Sequence, residues 1–195
     1  MRNSGAMTDK QMDVCIKNIA SGDMAALRTL YDELRIPIYK FALSIVRSTS
    51  SAEDIAQETF LRIRAAAPIY RSQGKPRAWI FSIVRNLSVT ELRRMAKSVN
   101  LERVDMFSAT TVDSIEVDGG SLLDLLKADE KEIVSLHVLA DLKHIDIART
   151  LNIPYEQVRW KYAYAIKKLR KHLTKFQKRE GVPIETEKKR YRATD

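Results

Sequence analysis

The chain has 195 residues, of which 45% are hydrophobic, and a formal net charge of +9. This length allows one ordinary domain or two small ones, each with a buried core. No apolar run approaches the roughly 18 residues of a membrane helix, the N-terminus lacks the apolar stretch of a secretory signal, and a single cysteine, Cys15, excludes an internal disulfide. These features predict a cytoplasmic protein without direct membrane insertion.

The positive charge is concentrated in two blocks. Residues 158–192 hold 13 Lys and Arg against 3 Glu, and residues 70–97 hold 7 Lys and Arg against Glu91. Residues 98–130 lie between them and carry 8 Asp and Glu against two cations. Two basic modules separated by an acidic link predict a polyanion bound at two places. Solvated helix faces would explain one charge run, but they explain this segregation less well.

Nearly every long segment has helical periodicity, which predicts an all-α fold. A short helix is predicted over Asp9–Ala20, with Cys15 as a small core residue; the alternative for this thiol is a redox or nucleophilic role. Asp23 can cap a second helix that continues to Val46, and Pro37 should kink or offset it.

The stretch SAEDIAQETFLRIRAA, residues 51–66, predicts a third helix, opened by an S-x-x-D capping signal. One face is apolar and points inward. Another face presents a single patch at helical spacing. The patch consists of Asp54, Gln57, Glu58 and Leu61. An acidic patch would repel DNA, so this face is predicted to meet a protein; the alternative is a solvated face whose acids favour the helix N-terminus.

A loop around Gly74 follows, and Pro76 suits the first turn of a fourth helix that is predicted to end at Lys97. Trp79 and Phe81 are candidate stacking platforms for bases. The surrounding run is so apolar that a core role is favoured for both.

The second half contains a separate helical unit. Ser121 and Asp124 repeat the capping signal, and a helix is predicted over Asp129–Ala140. The stretch HIDIARTLNIPYEQVRWKYAYAIKKLRKHL, residues 144–173, then shows a helix-turn-helix pattern, with Asn152 in the left-handed turn position and Pro154 opening the second helix. That helix has an apolar inner face and is predicted to present its basic residues outward. The outward set is Arg159, Lys161, Tyr164, Lys167 and Lys168.

Two helical domains, 8–97 and 121–174, are therefore predicted, joined by a flexible acidic linker, 98–120. A polar and basic tail, 175–195, is predicted to add nonspecific attraction to nucleic acid.

Three stretches resemble an extracytoplasmic-function sigma factor, a compact two-domain member of the bacterial sigma-70 family. They are AEDIAQETFLRI, KPRAWIFSIVRNLSVTELRRM and the helix-turn-helix that ends in IKKLRKHL. The resemblance covers roughly residues 9–173. It implies that the first domain binds core RNA polymerase and opens the −10 promoter element. It also implies that the second binds the −35 element as duplex, and that the protein is not itself an enzyme.

The resemblance assigns roles to particular residues. The core-polymerase-binding residues are implied to be Asp54, Gln57, Glu58 and Leu61, which would meet the arginine-bearing clamp helices of the β′ subunit. The −10 DNA-binding residues are implied to be Tyr70, Arg71, Lys75, Arg77, Arg85 and Asn86. The −35 DNA-binding residues are implied to be Arg159, Trp160, Lys161, Tyr164, Lys167 and Lys168. At two of these positions the chain departs from the family pattern: Trp160 stands where serine is common, and Tyr164 where arginine is common.

The resemblance also implies contact with the polymerase β flap and control by an anti-sigma protein. Two domains joined by a flexible linker suggest, in addition, a switch between a closed, inhibited form and an open, polymerase-bound form. No cofactor is expected. No metal site is expected either, because His137, His144 and His172 lack metal-like spacing. A stand-alone helix-turn-helix regulator is the main alternative, although it leaves the acidic patch and the Gly74 loop unexplained. An enzyme acting on nucleic acid is a third hypothesis, without a recognisable catalytic set.

Overall fold

The computed structural model describes residues 7–102 and 122–180, and this part of the chain is all-α, as predicted. Its α-helices are α1 (Asp9–Ala20), α2 (Met24–Val46), α3 (Thr49–Ala66), α4 (Pro76–Glu102), α5 (Ala128–Val138), α6 (His144–Leu151) and α7 (Tyr155–Glu180). Short 3-10 helices, Ala67–Ile69 and Leu122–Leu125, precede α4 and α5. Most of the predicted linker and tail lies outside the described residues. None of the described helices is long and apolar enough to cross a bilayer.

Side-chain caps determine where the first helices begin. Thr8 Oγ1 accepts a hydrogen bond from the Gln11 N–H at 3.3 Å, and Gln11 Oε1 accepts one from the Thr8 N–H at 2.9 Å, so α1 opens with a capping box. Asp23 caps α2 as predicted, since its Oδ1 accepts from the N–H groups of Ala25 and Ala26 at 2.8 and 3.1 Å. Helix α2 then runs through Pro37 without interruption.

The predicted start of the third helix was wrong. Ser48 is the N-cap, and its hydroxyl oxygen accepts from the Ser51 N–H at 3.3 Å, so α3 begins at Thr49. Ser51 lies inside the helix, where its hydroxyl donates to Glu91 Oε1 at 3.3 Å. Both serines are chemically suited to a cap, and the sequence pattern alone does not rank them.

Other helix boundaries also differ from the predictions. Helix α4 continues past Lys97 to Glu102, into the segment predicted as linker. Of the capping signal predicted at Ser121 and Asp124, Ser121 lies outside the described residues, and Asp124 lies within the 3-10 helix Leu122–Leu125. Helix α5 ends at Val138, two residues before its predicted end at Ala140.

Helices α1 to α4 enclose the core of the first unit. Phe41 and Phe81 are fully buried, and their rings meet edge to face with centroids 5.5 Å apart. Phe81 is therefore a core residue, as favoured from the sequence. Trp79 is only half-buried, and its ring centroid lies 4.6 Å from that of Tyr70. Cys15 packs against this core, and burial raises the pKa of its thiol, which disfavours a reactive thiolate.

Helices α6 and α7 form the predicted helix-turn-helix. Asn152 adopts φ 53° and ψ 48°, the left-handed conformation expected of it, and the Ile153 N–H donates to the Ala148 carbonyl at 3.0 Å. Val158 and Ala165 are fully buried on the inner face of α7. Helix α5 packs beside both helices. On the opposite face of α7, Trp160 and Tyr164 are exposed.

The two helical units also pack against each other. Helix α5 contacts α2, and α6 contacts α4. Ile133, Leu136 and Ile147 of the second unit are fully buried and belong to the same hydrophobic cluster as the core of the first. The contact between the units is therefore partly apolar.

Candidate functional site

The acidic patch predicted on the third helix forms one outward face of α3. Asp54 and Gln57 are exposed, and Leu61 keeps 60% of its surface accessible although it is a large apolar residue. Glu58 is half-exposed and accepts a hydrogen bond from Arg62 Nε at 2.6 Å. An exposed leucine beside two carboxylates is suited to a protein contact that combines apolar area with charge.

This patch borders a groove of about 230 Å³ between α3 and α4. Asp54 and Glu58 line one side, and Glu91 and Arg94 line the other. Arg94 donates two hydrogen bonds to Glu91, at 2.8 and 2.7 Å, and these bonds lower the pKa of that carboxyl. A guanidinium thus already lies among the carboxylates of the groove. Sequence analysis missed Glu91 and Arg94 because helix packing, not sequence spacing, brings α4 beside α3.

The Gly74 loop adjoins a larger cavity of about 470 Å³. Gly74 has φ +68°, a conformation that favours glycine, so the loop follows its predicted chemistry. Three of the implied −10 residues, Tyr70, Arg71 and Lys75, line the cavity together with Trp79. Aromatic rings beside cations are the features that capture unstacked bases. The far wall is formed by α6 of the second unit.

Tyr70 is held by polar contacts within the first unit. Its hydroxyl donates to a carboxylate oxygen of Asp13, and the Ser72 hydroxyl donates to the other oxygen at 2.8 Å. Burial, and then the bond to Asp13, raises the pKa of Tyr70, so its hydroxyl stays protonated. The ring is therefore fixed against Trp79 at the edge of the cavity.

The implied −10 cations differ in what they contact. Arg71 is exposed and forms no hydrogen bond or ion pair with the described residues. Lys75 Nζ donates to Asp146 Oδ2 at 2.9 Å, and Arg85 Nε donates to Glu132 Oε1 at 2.7 Å. Both partners belong to the second unit. Asn86, which follows Arg85 on α4, is exposed.

Arg77 is mostly buried, whereas a cation that faces DNA would be exposed. Its side chain is only 12% exposed and donates to the Met7 carbonyl at 2.7 Å. It also lies 3.7 Å from Asp9 and 3.9 Å from Glu33. The guanidinium therefore joins Met7, α1 and α2 to α4, a role that sequence spacing could not reveal.

Helix α7, the second helix of the helix-turn-helix, presents an aromatic pair outward. Trp160 and Tyr164 are 63% and 50% exposed, and their rings stack with centroids 5.7 Å apart and planes 15° from parallel. Arg159 is exposed beside them, 3.6 Å from Glu156. Lys167 is exposed one helical turn further along.

Two lysines of α7 turn toward α5 instead. Lys161 was predicted to face outward, but its side chain is only 17% exposed and donates to Asp129. The bond lowers the pKa of Asp129. Lys168 is half-exposed, and its Nζ lies 3.8 Å from Glu130. Both ammonium groups are therefore already paired with carboxylates of α5.

A cluster of aromatic rings lies where α5, α6 and α7 meet. The rings of His137, His144 and Tyr162 have centroids 4.7 to 5.0 Å apart. His137 Nδ1 is bonded to the Leu142 carbonyl at 2.9 Å, and His144 Nε2 is buried without a hydrogen-bond partner. Within residues 7–102 and 122–180, no group of three or more His, Cys, Asp or Glu side chains could hold a metal ion.

The helix-turn-helix unit should lose stability as the pH falls below about 6.5, the ordinary pKa of histidine. Burial lowers the pKa of His144, and nearby His137 and Arg159 lower it further. The unfolded state then binds more protons in this range, so the free energy of unfolding decreases as the pH drops toward the folded-state pKa. Urea unfolding followed by circular dichroism at several pH values should show the decrease. The substitution His144→Gln should make the free energy of unfolding depend less on pH in this range. An unchanged dependence on pH would contradict the role given to His144.

Two family profiles match the chain. Residues 30–98 match Sigma-70 region 2, and residues 122–171 match Sigma-70, region 4. The chain belongs to the sigma-70 family, in its extracytoplasmic-function group. Sigma factors are regulatory DNA-binding proteins rather than enzymes. Below, the unit α1–α4 is called region 2 and the unit α5–α7 region 4.

Curated relatives support this assignment. The ECF RNA polymerase sigma factor SigL of Mycobacterium tuberculosis (strain ATCC 25618 / H37Rv) is 27% identical over 165 residues, which are 80% of this chain and 93% of the relative. SigW of Bacillus subtilis (strain 168) is 26% identical over 176 residues, covering 81% of this chain and 94% of the relative.

Solved structures share the fold. CnrH, determined in complex with the cytosolic domain of CnrY, has a TM-score of 0.61 and 22% identity, and covers 84% of this chain and 97% of its own. The sigma factor RpoE, determined with the anti-sigma factor NepR from Bartonella quintana, has a TM-score of 0.61 and 18% identity, and covers 75% of this chain and 96% of its own.

Proposed function

We propose that this protein is an alternative sigma factor that directs core RNA polymerase to promoters and melts their −10 region. The exposed acidic patch of α3 carries the proposal. An acidic surface on a DNA-binding domain repels DNA, so it is suited to a contact with another protein. Asp54 and Glu58 would accept charge-assisted hydrogen bonds from arginines of the β′ clamp helices. Region 4 would contact the β flap, and the complex would act in the cytoplasm.

The cavity beside the Gly74 loop supports the −10 assignment. Melting requires pockets that hold bases outside the stack, with cations along the backbone. Arg71 supplies a cation that has no partner among residues 7–102 and 122–180, and Tyr70 and Trp79 supply aromatic surface at the cavity wall. Asn86 is exposed on α4, where its amide could read an adenine edge.

The outward face of α7 supports the −35 assignment. The second helix of a helix-turn-helix enters the major groove with its first residues against base edges. Arg159 can bond guanine, and the Trp160–Tyr164 stack offers apolar surface for thymine methyl groups. Lys167 would bind phosphate, whereas Lys161 and Lys168 must first leave their carboxylate partners on α5.

Substituting Arg159→Ala is expected to weaken binding to the −35 element by about 1–3 kcal/mol. The ion pair with Glu156 is solvent-exposed, so its loss should leave the fold intact. Competition among promoter fragments with altered −35 bases should show relaxed preference at one position. Lys167→Ala provides the comparison, since loss of a phosphate contact weakens all sequences alike. A uniform loss for Arg159→Ala would contradict base reading.

An anti-sigma partner belongs to the same proposal. CnrH and RpoE were each determined with a partner protein, CnrY for CnrH and the anti-sigma factor NepR for RpoE. We infer that a protein of this kind binds this chain and covers the surfaces that are proposed to bind polymerase and DNA.

The first experiment is co-elution of the purified protein with bacterial core RNA polymerase, followed by run-off transcription on genomic fragments. Stable binding and new discrete transcripts are expected. Specific binding to duplex DNA without affinity for core enzyme would instead favour a stand-alone helix-turn-helix regulator.

A further inference from the structure

The aromatic pair on α7 is exposed although the fold has no use for it. Trp160 keeps 63% and Tyr164 keeps 50% of its surface accessible. Neither side chain belongs to the two hydrophobic clusters that the described residues form, and neither packs against them. Aromatic side chains of this size bury a large apolar area when they stabilise a core. The pair is therefore available to a ligand of region 4.

The two rings hold each other in place. Their centroids are 5.7 Å apart and their planes are 15° from parallel, within the range that stacked aromatic pairs prefer. Residues four apart on a helix lie one above the other, so Trp160 and Tyr164 form a single apolar surface along α7. A side chain that is already held in one position loses less conformational freedom when a ligand binds. The indole ring is therefore preorganised for contact.

Cations lie on both sides of the Trp160–Tyr164 stack. Arg159 precedes it, with Cζ 5.8 Å from the centroid of the Tyr155 ring and Nη1 3.6 Å from Glu156 Oε2. Lys167 is exposed beyond the other end. An apolar surface between cations complements the major groove of DNA, where base edges lie between two lines of phosphates. This charge pattern favours a base edge as the group that the stack contacts.

The major groove offers one alkyl group to an apolar surface. Every base edge there presents hydrogen-bond donors or acceptors, and thymine alone among the four bases adds a C5-methyl group. The faces of aromatic rings satisfy none of those donors and acceptors, so the methyl group is what the stack is suited to contact. Cytosine and uracil lack this group. 5-Methylcytosine carries the same methyl at the same ring position as thymine.

We propose that the Trp160–Tyr164 stack reads C5-methyl groups in the −35 duplex, so that this protein prefers thymine and 5-methylcytosine over uracil and cytosine at one position. Trp160 contacts the methyl group, and Tyr164 positions the indole ring. The inference rests on the proposed function, because that function places α7 in the major groove of the −35 element. It adds that cytosine methylation at this position strengthens binding. Burying one methyl group corresponds to about fourfold in affinity.

The test uses holoenzyme reconstituted from the full chain and bacterial core RNA polymerase, on a promoter fragment defined by run-off transcription. Each thymine of the −35 element, on either strand, is replaced in turn by deoxyuridine, and each cytosine by 5-methylcytosine. Both replacements change the C5 position alone. Competition against the labelled, unmodified fragment gives the ratio of the affinities with and without the methyl group, called here the methyl ratio.

The wild type is expected to show a methyl ratio of about four at one position. Trp160→Ala should lower this ratio to about one, because no apolar surface remains for the methyl group. Tyr164→Ala should lower it to about two, whereas Tyr164→Phe keeps the ring and should retain the wild-type ratio. If Tyr164 were merely structural, its loss would weaken binding to all fragments alike and leave the methyl ratio unchanged.

Lys167→Ala is the matched control on the same helix. It removes a proposed phosphate contact, so it should weaken binding to all fragments alike and keep the wild-type methyl ratio. Trp160 and Tyr164 are exposed, so their truncation leaves no enclosed cavity, and circular dichroism checks the helical content of each variant.

Two results would overturn the reading of methyl groups and leave the proposed function standing. One is a methyl ratio of about one at every position for the wild type, and the other is an unchanged ratio in Trp160→Ala. A protein that neither binds core enzyme nor yields discrete transcripts would overturn the proposed function, and this inference with it.

Discussion

Replacing both Asp54 and Glu58 by lysine is expected to abolish binding to core RNA polymerase while region 2 keeps its fold. The two carboxylates lie on one face of α3 beside the exposed Leu61. Lysines there would place like charges against the arginines of the polymerase, which costs several kcal/mol and corresponds to a loss of about 100-fold or more. Co-elution with core enzyme and run-off transcription would measure the loss.

The matched control is Asp32→Lys/Glu53→Lys, which reverses the same amount of charge at exposed positions outside the patch. Both variants should keep their helical content, because exposed ion pairs such as Glu58–Arg62 contribute at most about 1 kcal/mol. Equal binding by the patch variant and the control would make the acidic face of α3 a solvated surface.

Substituting Phe81→Ala is expected to lower the free energy of unfolding of region 2 by about 3–5 kcal/mol. Phe81 is fully buried, and its ring meets Phe41 edge to face, so truncation removes both apolar contact and an aromatic pair. Small domains have only about 5–15 kcal/mol of stability, so much of it would be lost. Urea unfolding followed by circular dichroism would measure the change.

Leu92→Ala on the same helix is the control, because that side chain is 39% exposed and its truncation leaves no enclosed cavity. It should cost less than about 1 kcal/mol. A similarly small loss for Phe81→Ala would contradict the core assignment and reopen a stacking role for this ring.

The local features of the helices could be predicted from the sequence. Asp23 caps α2, Asn152 takes the left-handed turn and α1 spans Asp9–Ala20, all as expected. Each depends on a side chain within a few residues of the backbone that it stabilises. The predictions were less accurate where two neighbours could serve equally well, as Ser48 and Ser51 could at the start of α3.

The contacts of the candidate site depend on the tertiary structure. Arg77 and Lys161 were assigned to DNA by the family resemblance, yet both are mostly buried against acids. Those acids come from other helices, so no spacing rule along the chain could find them. The roles of these residues in DNA binding stay predictions.

The sequence by itself determined the helices, the cap of α2, the turn of the helix-turn-helix and the acidic face of α3, because each depends on near neighbours and on helical period. Only the tertiary structure decided which cations are free. Arg71 remains unpaired among the described residues, whereas Lys75 and Arg85 bond to Asp146 and Glu132. The physical reason is that a long cationic side chain pairs with whichever carboxylate the packing of distant helices brings within about 3 Å of it.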